Sequence, residues 1–128
     1  MREIKFRAWA KKDKIMVEDI ELGKFDDGYV LDAVDCKNDT YIDDFEWMQY
    51  TGLKDKKGKE IYEGDICKFN CDWDGRDWKG VVGQVMFYES RFELTDKNGD
   101  SYVGLGRIYG PFNIEIIGNI YENPELVK

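Results

Sequence analysis

Residues 59–121 hold five strand-like runs at short intervals, and this spacing constrains the fold more than any other feature of the chain. The runs are KEIYEGDICKF, KGVVGQVMFY, RFELTD, DSYVGLG and NIEIIGNIY. In the second, Val81, Gly83, Val85 and Phe87 share one face, and Val82, Gln84, Met86 and Tyr88 share the other. Turn signals separate the runs at Glu89-Ser90, Asn98-Gly99 and Gly110-Pro111. Asn-Gly between two strand-like runs predicts a hairpin with a type I′ turn, which needs positive φ at both central residues. Short, evenly spaced strands with such turns predict a sandwich or a small barrel.

The stretch YTGLKDKKGKEIYEGDIC, residues 50–67, carries the turn chemistry into which these strands connect. Gly52, Gly58 and Gly64 are expected at turns, as is Gly99 further on. Asp65 is placed to bond back to the amides of the Gly64 corner, and Ile66 and Cys67 then point to opposite faces of a strand. LKDKKG at 53–58 echoes LTDKNG at 94–99. The echo is too short for a repeat architecture and reads as one turn used twice. At the other end, Asn123-Pro124 is expected to stop the last strand.

Upstream, EIKFRAW alternates, with Ile4, Phe6 and Ala8 on the face expected to be buried and Lys5, Arg7 and Trp9 on the other. With IMVEDI after the polar AKKDK, residues 3–20 predict a β-hairpin, and Tyr29, Val30 and Leu31 predict a further short strand. Residues 35–46 are acidic and lack periodicity. DDFEWMQY predicts a helical turn, since Asp43 or Asp44 can cap it and Phe45 and Met48 are three apart.

Charge divides the chain. Residues 1–17 balance to +4, residues 18–46 to −9 and residues 47–128 to −3, giving the net −8. The acidic block repels nucleic acid at long range and attracts basic partners, besides keeping the protein soluble. Hydrophobic residues make up 42% of the chain, enough for a core, and no apolar run reaches the roughly 20 residues that cross a bilayer. The start, MREIKFRAWA, lacks a signal-peptide apolar region, so a cytoplasmic location and no membrane partner are expected. The three cysteines, Cys36, Cys67 and Cys71, are an odd count, and the chain has no histidine. Buried thiols are expected rather than a disulfide framework or a zinc site.

Three segments carry a resemblance: REIKFRAW near the start, MQYTGLKDKKGKEIYEGDICKF at 48–69 and IIGNIYENPEL at 116–126. Together they resemble the YopX family of phage and prophage proteins. The resemblance implies a small protein encoded by phages of bacteria, with a C-terminal part classed among SH3-type β-barrels. It implies no activity, so it brings no catalytic or ligand-binding residues.

The expectation is therefore an all-β protein: an N-terminal strand and hairpin region over 1–46 and a small SH3-like barrel over 47–128. Without histidine there is no Ser-His or Cys-His pair, and no Walker loop or Gly-x-Gly-x-x-Gly is present, so no enzyme and no cofactor are expected. Asp72, Asp74 and Asp77 offer oxygen ligands, but their spacing does not match a calcium loop. Trp73 and Trp78, in the same polar segment, are candidates for a partner surface or for a lid folded back on the barrel. Lys54, Lys56, Lys57 and Lys59 form a basic tip that offers a second candidate surface. The reading is an accessory protein of the bacterial host cytoplasm that binds another macromolecule, most simply a protein. The alternatives are a nucleic-acid-binding barrel with aromatics such as Tyr62, Phe69, Phe87 and Tyr88, an acidic mimic of nucleic acid, and self-association through exposed strand edges.

Overall fold

The computed structural model describes residues 4–18, 20–24, 31–35, 37, 40–42, 44–71, 78–88, 90–105 and 114–127, and the side chains of 21–24, 31–35, 40–42, 71, 78 and 103 lie outside that description. All described pairings are antiparallel. The chain divides into two compact units, residues 1–50 and 51–128, against an expected boundary after residue 46.

In the first unit, β1 (Phe6–Ala10) and β2 (Ile15–Val17) form the expected hairpin, with Ala8 opposite Val17 and Ala10 opposite Ile15. Ala8, Ala10 and Val17 make a small core with Ile20 and Phe45 against it. Arg7, expected on an open face, is 5% exposed opposite Met48, so β1 is covered on both faces. Ile4, expected inside, is exposed. The run IMVEDI is split: β2 ends at Val17, and Ile20–Lys24 forms β3, which pairs with β4 (Leu31–Asp35), which pairs with β5 (Thr40–Ile42). Tyr29 and Val30 lie outside the described residues.

The helical turn expected in DDFEWMQY is a strand instead: β6 runs from Phe45 to Lys54. Its residues pair with β1, from Phe6 opposite Gln49 to Ala10 opposite Phe45. The physical reason is the pattern of burial. Met48 and Tyr50 are buried two apart, while Phe45, Trp47, Tyr50 and Thr51 are residue types that suit a pleated surface. Spacing of three between Phe45 and Met48 was a weaker signal than that alternation.

In the second unit, β6 neighbours β7 (Glu60–Tyr62). The Thr51 hydroxyl donates to the Ile61 carbonyl at 2.7 Å and accepts from the Leu53 amide at 3.2 Å. Gly52 lies between those two residues inside the strand, with φ 87°, rather than at a turn. A five-stranded sheet follows in the order β11-β10-β9-β8-β12, built of β8 (Asp65–Cys71), β9 (Trp78–Tyr88), β10 (Arg91–Thr95), β11 (Ser101–Gly104) and β12 (Glu115–Asn119). Among the described residues β11 and β12 stand at opposite ends of this order. The core packs Ile61, Cys67, Phe69, Val85, Phe92, Leu94, Leu105 and Ile114, with Val81, Tyr102 and Ile116 at its margin.

β12 ends at Asn119, earlier than Asn123-Pro124. The Asn119 side chain accepts from the amides of Tyr121 and Glu122 at 3.0 and 2.8 Å, and the Asn123 side chain accepts from the Asn119 amide at 3.3 Å. These local bonds compete with the ladder and turn the chain into a 3-10 turn at Pro124–Val127.

Candidate binding surface

Two connections, β6 to β7 and β10 to β11, are one device. In the first, Asp55 Oδ1 accepts from the amides of Lys57 and Lys59 at 2.9 Å each; in the second, Asp96 Oδ1 accepts from those of Asn98 and Asp100 at 2.8 and 3.0 Å. Gly58 and Gly99 donate to the carbonyls of Asp55 and Asp96 at 2.9 and 3.1 Å, with φ 83° and 86°. The Asp55 and Asp96 amides close each loop on Lys59 and Asp100 at 2.8 Å. Among the residues between each pair of aspartate and closing residue, positive φ falls on the glycine alone. Each loop is thus a type I turn followed by a left-handed glycine, which corrects the type I′ expectation for Asn98-Gly99. The Asp carboxylate, by holding two amides, selects this three-residue loop. Asp55 adds a distant contact, its Oδ2 accepting from the Ile116 amide at 3.1 Å.

The corner at Gly64 and Asp65 is equally structural. Gly64 has φ 88°, its amide donates to the Val85 carbonyl at 2.8 Å, and Asp65 Oδ2 accepts from the Tyr62 amide at 2.8 Å. Asp65 is 2% exposed. It carries the chain from β7 into β8, where Ile66 and Cys67 are both fully buried.

The lysine tip is less basic than its sequence. Lys57 and Lys56 converge on Glu115 of β12, at 2.8 and 3.3 Å. The hydrogen bond to Glu115, then its charge, holds Lys57 above the ordinary lysine range; Lys57 first and Lys56 next hold Glu115 below the ordinary carboxylate range. Lys54 and Lys59 are exposed on the strand end and the turn. Glu115 thus engages two of the four lysines, and the Asp55 carboxylate sits in the same turn.

Trp73, Asp72, Asp74 and Asp77 lie outside the described residues, as does the side chain of Trp78, whose backbone opens β9 opposite Cys71. Most of the acidic block 18–46 is likewise outside the described side chains. Of the aromatics considered for nucleic acid, Tyr62 and Phe69 are buried. Phe87 and Tyr88 are not: Met86, Phe87 and Tyr88 are 39%, 51% and 59% exposed in sequence.

These three residues sit where β9 has outrun the sheet. β8 pairs with β9 from Trp78 to Gln84, and β10 pairs with it from Gln84 to Tyr88. Ladder contact of β10 with β11 begins at Glu93. The end of the β9–β10 hairpin is thus a two-stranded arm among the described residues. It turns at Ser90, with φ 68°, and joins Tyr88 to Arg91. Phe87 packs edge-on against Phe92 at 5.0 Å between ring centres on one face. On the other face Tyr88 is opposite Arg91 and Met86 opposite Glu93. Glu93 is 3% exposed and accepts from Arg91 Nε at 2.6 Å. The available signal was the break in alternation at MFY, three large apolar residues before a turn, which no single covered face can absorb. Arg91 had no such signal.

Among the described residues no three His, Cys, Asp or Glu side chains gather as a metal site. The candidate site is a surface: apolar and aromatic, at a sheet end, with one anchored arginine. This is an all-β protein whose described strand pairings are all antiparallel. The YopX protein family profile matches residues 5–128, and the chain belongs to that family. It is similar over 100% of both chains to the crystal structure of protein EF1440 from Enterococcus faecalis, at 27% identity and a TM-score of 0.68. Protein yopX from Bacillus subtilis also aligns over 100% of both chains, at 22% identity and a TM-score of 0.63, and shares the fold. A search of curated proteins finds no match.

Proposed function

We propose that this YopX-family protein is a non-enzymatic accessory protein that binds another protein in the cytoplasm of a bacterium carrying phage or prophage genes. The exposed run Met86–Tyr88, continuous with Arg91 on the same arm, carries the reading. Aromatic residues and arginine concentrate at protein-binding hot spots, where burial of large rigid side chains supplies most of the energy. The absence of histidine from the chain and the bacterial origin of both solved relatives support the remainder. Nucleic acid is the weaker alternative, because Glu115 engages two of the four tip lysines and the net charge is −8.

The test is affinity capture from bacterial lysate by the wild-type chain and by Tyr88→Ala, with mass spectrometry and with nuclease treatment as a control. Nuclease-resistant proteins held by the wild type and lost with Tyr88→Ala are expected. Capture that depends on intact nucleic acid, or is unchanged by the substitution, refutes the reading.

A further inference from the structure

We propose that the outer edge of β9 at Met86–Tyr88 accepts an extended segment of the partner protein as an added strand, and that this segment carries a Glu or Asp read by Arg91. The proposal rests on the protein-binding reading above and specifies its mode.

The edge follows from register. In an antiparallel ladder the backbone groups of alternate residues point to the same side. The Val85 carbonyl points away from β10, since it accepts from the Gly64 amide. Phe87, two residues on, presents its N–H and C=O to that same side. β8 has stopped pairing at Gln84, so among the described residues no strand pairs with β9 beside Phe87; the 3-10 turn Pro124–Val127 packs against β9, and a guest strand must lie beyond it. A strand with an open edge and exposed apolar side chains on both faces is a template for strand addition: the backbone supplies hydrogen bonds and the alternate side chains supply selectivity.

Arg91 supplies the charge preference. Its Nε is held by Glu93, whose side chain is 4% exposed while that of Arg91 is 60% exposed. That bond orients the guanidinium and leaves the two terminal nitrogens for a bidentate partner, the geometry a carboxylate matches. Strands lie about 4.8 Å apart, so a strand added to β9 lies about 10 Å from β10, within the joint reach of an arginine and an acidic side chain. Arg91, Tyr88 and Met86 share a face with Glu93, so the guest residue on that face meets two large side chains beside an arginine that Glu93 already holds through Nε. A phosphate would also fit the arginine, but a polyanion is repelled by the net charge of −8 and gains little from Met86 and Phe87.

The probe is a random linear peptide library displayed on ribosomes and selected on the full chain, with the selected peptides measured by fluorescence polarisation. Enriched peptides should alternate apolar residues with at least one Asp or Glu. Arg91→Gln should weaken them about tenfold or more. Phe87→Pro removes the outward N–H without touching the β10 ladder and should abolish binding, while Phe87→Val, which keeps that N–H, should retain part of it. Circular dichroism of each variant must match the wild type. Peptides without acidic residues, or equal affinity for Arg91→Gln, overturn the arginine assignment. Equal affinity for Phe87→Pro and Phe87→Val overturns strand addition. Binding of a labelled oligonucleotide, or a dimer lost with Phe87→Pro, overturns the stated partner. Where no peptide binds but the lysate proteins are still captured through Tyr88, the strand mode fails and the protein-binding reading stands; loss of both ends both.

Discussion

Replacing Asp55 and Asp96 each by Asn separates one turn used twice into its local and distant parts. Asp96 works through Oδ1 alone, on the amides of Asn98 and Asp100. Asp55 makes the same two bonds through Oδ1 and adds the Ile116 amide through Oδ2. In Asn, Oδ2 becomes an NH2 group. At residue 96 that group takes a position with no backbone partner, and the turn survives. At residue 55 it meets the Ile116 N–H donor to donor; a flipped amide keeps Ile116 but opposes Lys57 and Lys59. A hydrogen bond to a charged group contributes about 1.5–3 kcal/mol, and a buried donor left without an acceptor costs about 1–3 kcal/mol. Asp55→Asn should therefore destabilise the 51–128 unit by about 2–4 kcal/mol, and Asp96→Asn by less than about 1 kcal/mol. Urea titration gives the difference. Peptide-level hydrogen exchange across 114–119 localises it, since about 2 kcal/mol speeds exchange through opening some 30-fold. Equal costs for the two variants, or unchanged exchange at 114–119 in Asp55→Asn, would refute the reasoning.

Other expectations follow from the same geometry. Glu115, lowered by Lys57 and Lys56, contributes stability above its unfolded pKa that is lost as pH falls through the lowered folded value; Lys57, raised by Glu115, contributes below the ordinary lysine range and loses it as pH rises through the raised value. Glu115→Gln should remove the acid-side dependence and return Lys57 toward its ordinary pKa, with only the smaller pull of Asp55 left, read by NMR titration. Gly58→Ala and Gly99→Ala meet no atom within 4 Å, so each should cost only the left-handed strain, about 1–2 kcal/mol and alike in thermal unfolding. Gly118→Ala places a Cβ 2.5 Å from Asn123 Oδ1 and should cost about 1–3 kcal/mol, with part restored in the double variant with Asn123→Ala.

What could be read along the chain was what is decided within a few residues. The β8–β11 strands, the N-terminal hairpin and the three turns at Gly58, Gly64 and Gly99 depend on alternation and on carboxylates that bond amides two to four residues away. The likeness of LKDKKG to LTDKNG was a likeness of hydrogen bonds. The same local view misjudged Phe45–Lys54, where short spacing suggested a helix and pairing with β1 made a strand.

The tertiary structure decided everything that needed a partner far away in sequence. Glu115 pairs two of the four tip lysines, and Ile116 turns Asp55 from a turn residue into a tie between turn and β12. Among the described residues, the arm arises because β8 and β11 stop pairing before β9 and β10 do, a length difference that no single strand contains. Composition and periodicity determined that the chain would be antiparallel β with Asp-Gly turns. Register, set by long-range pairing, determined which of its aromatic residues were left outside.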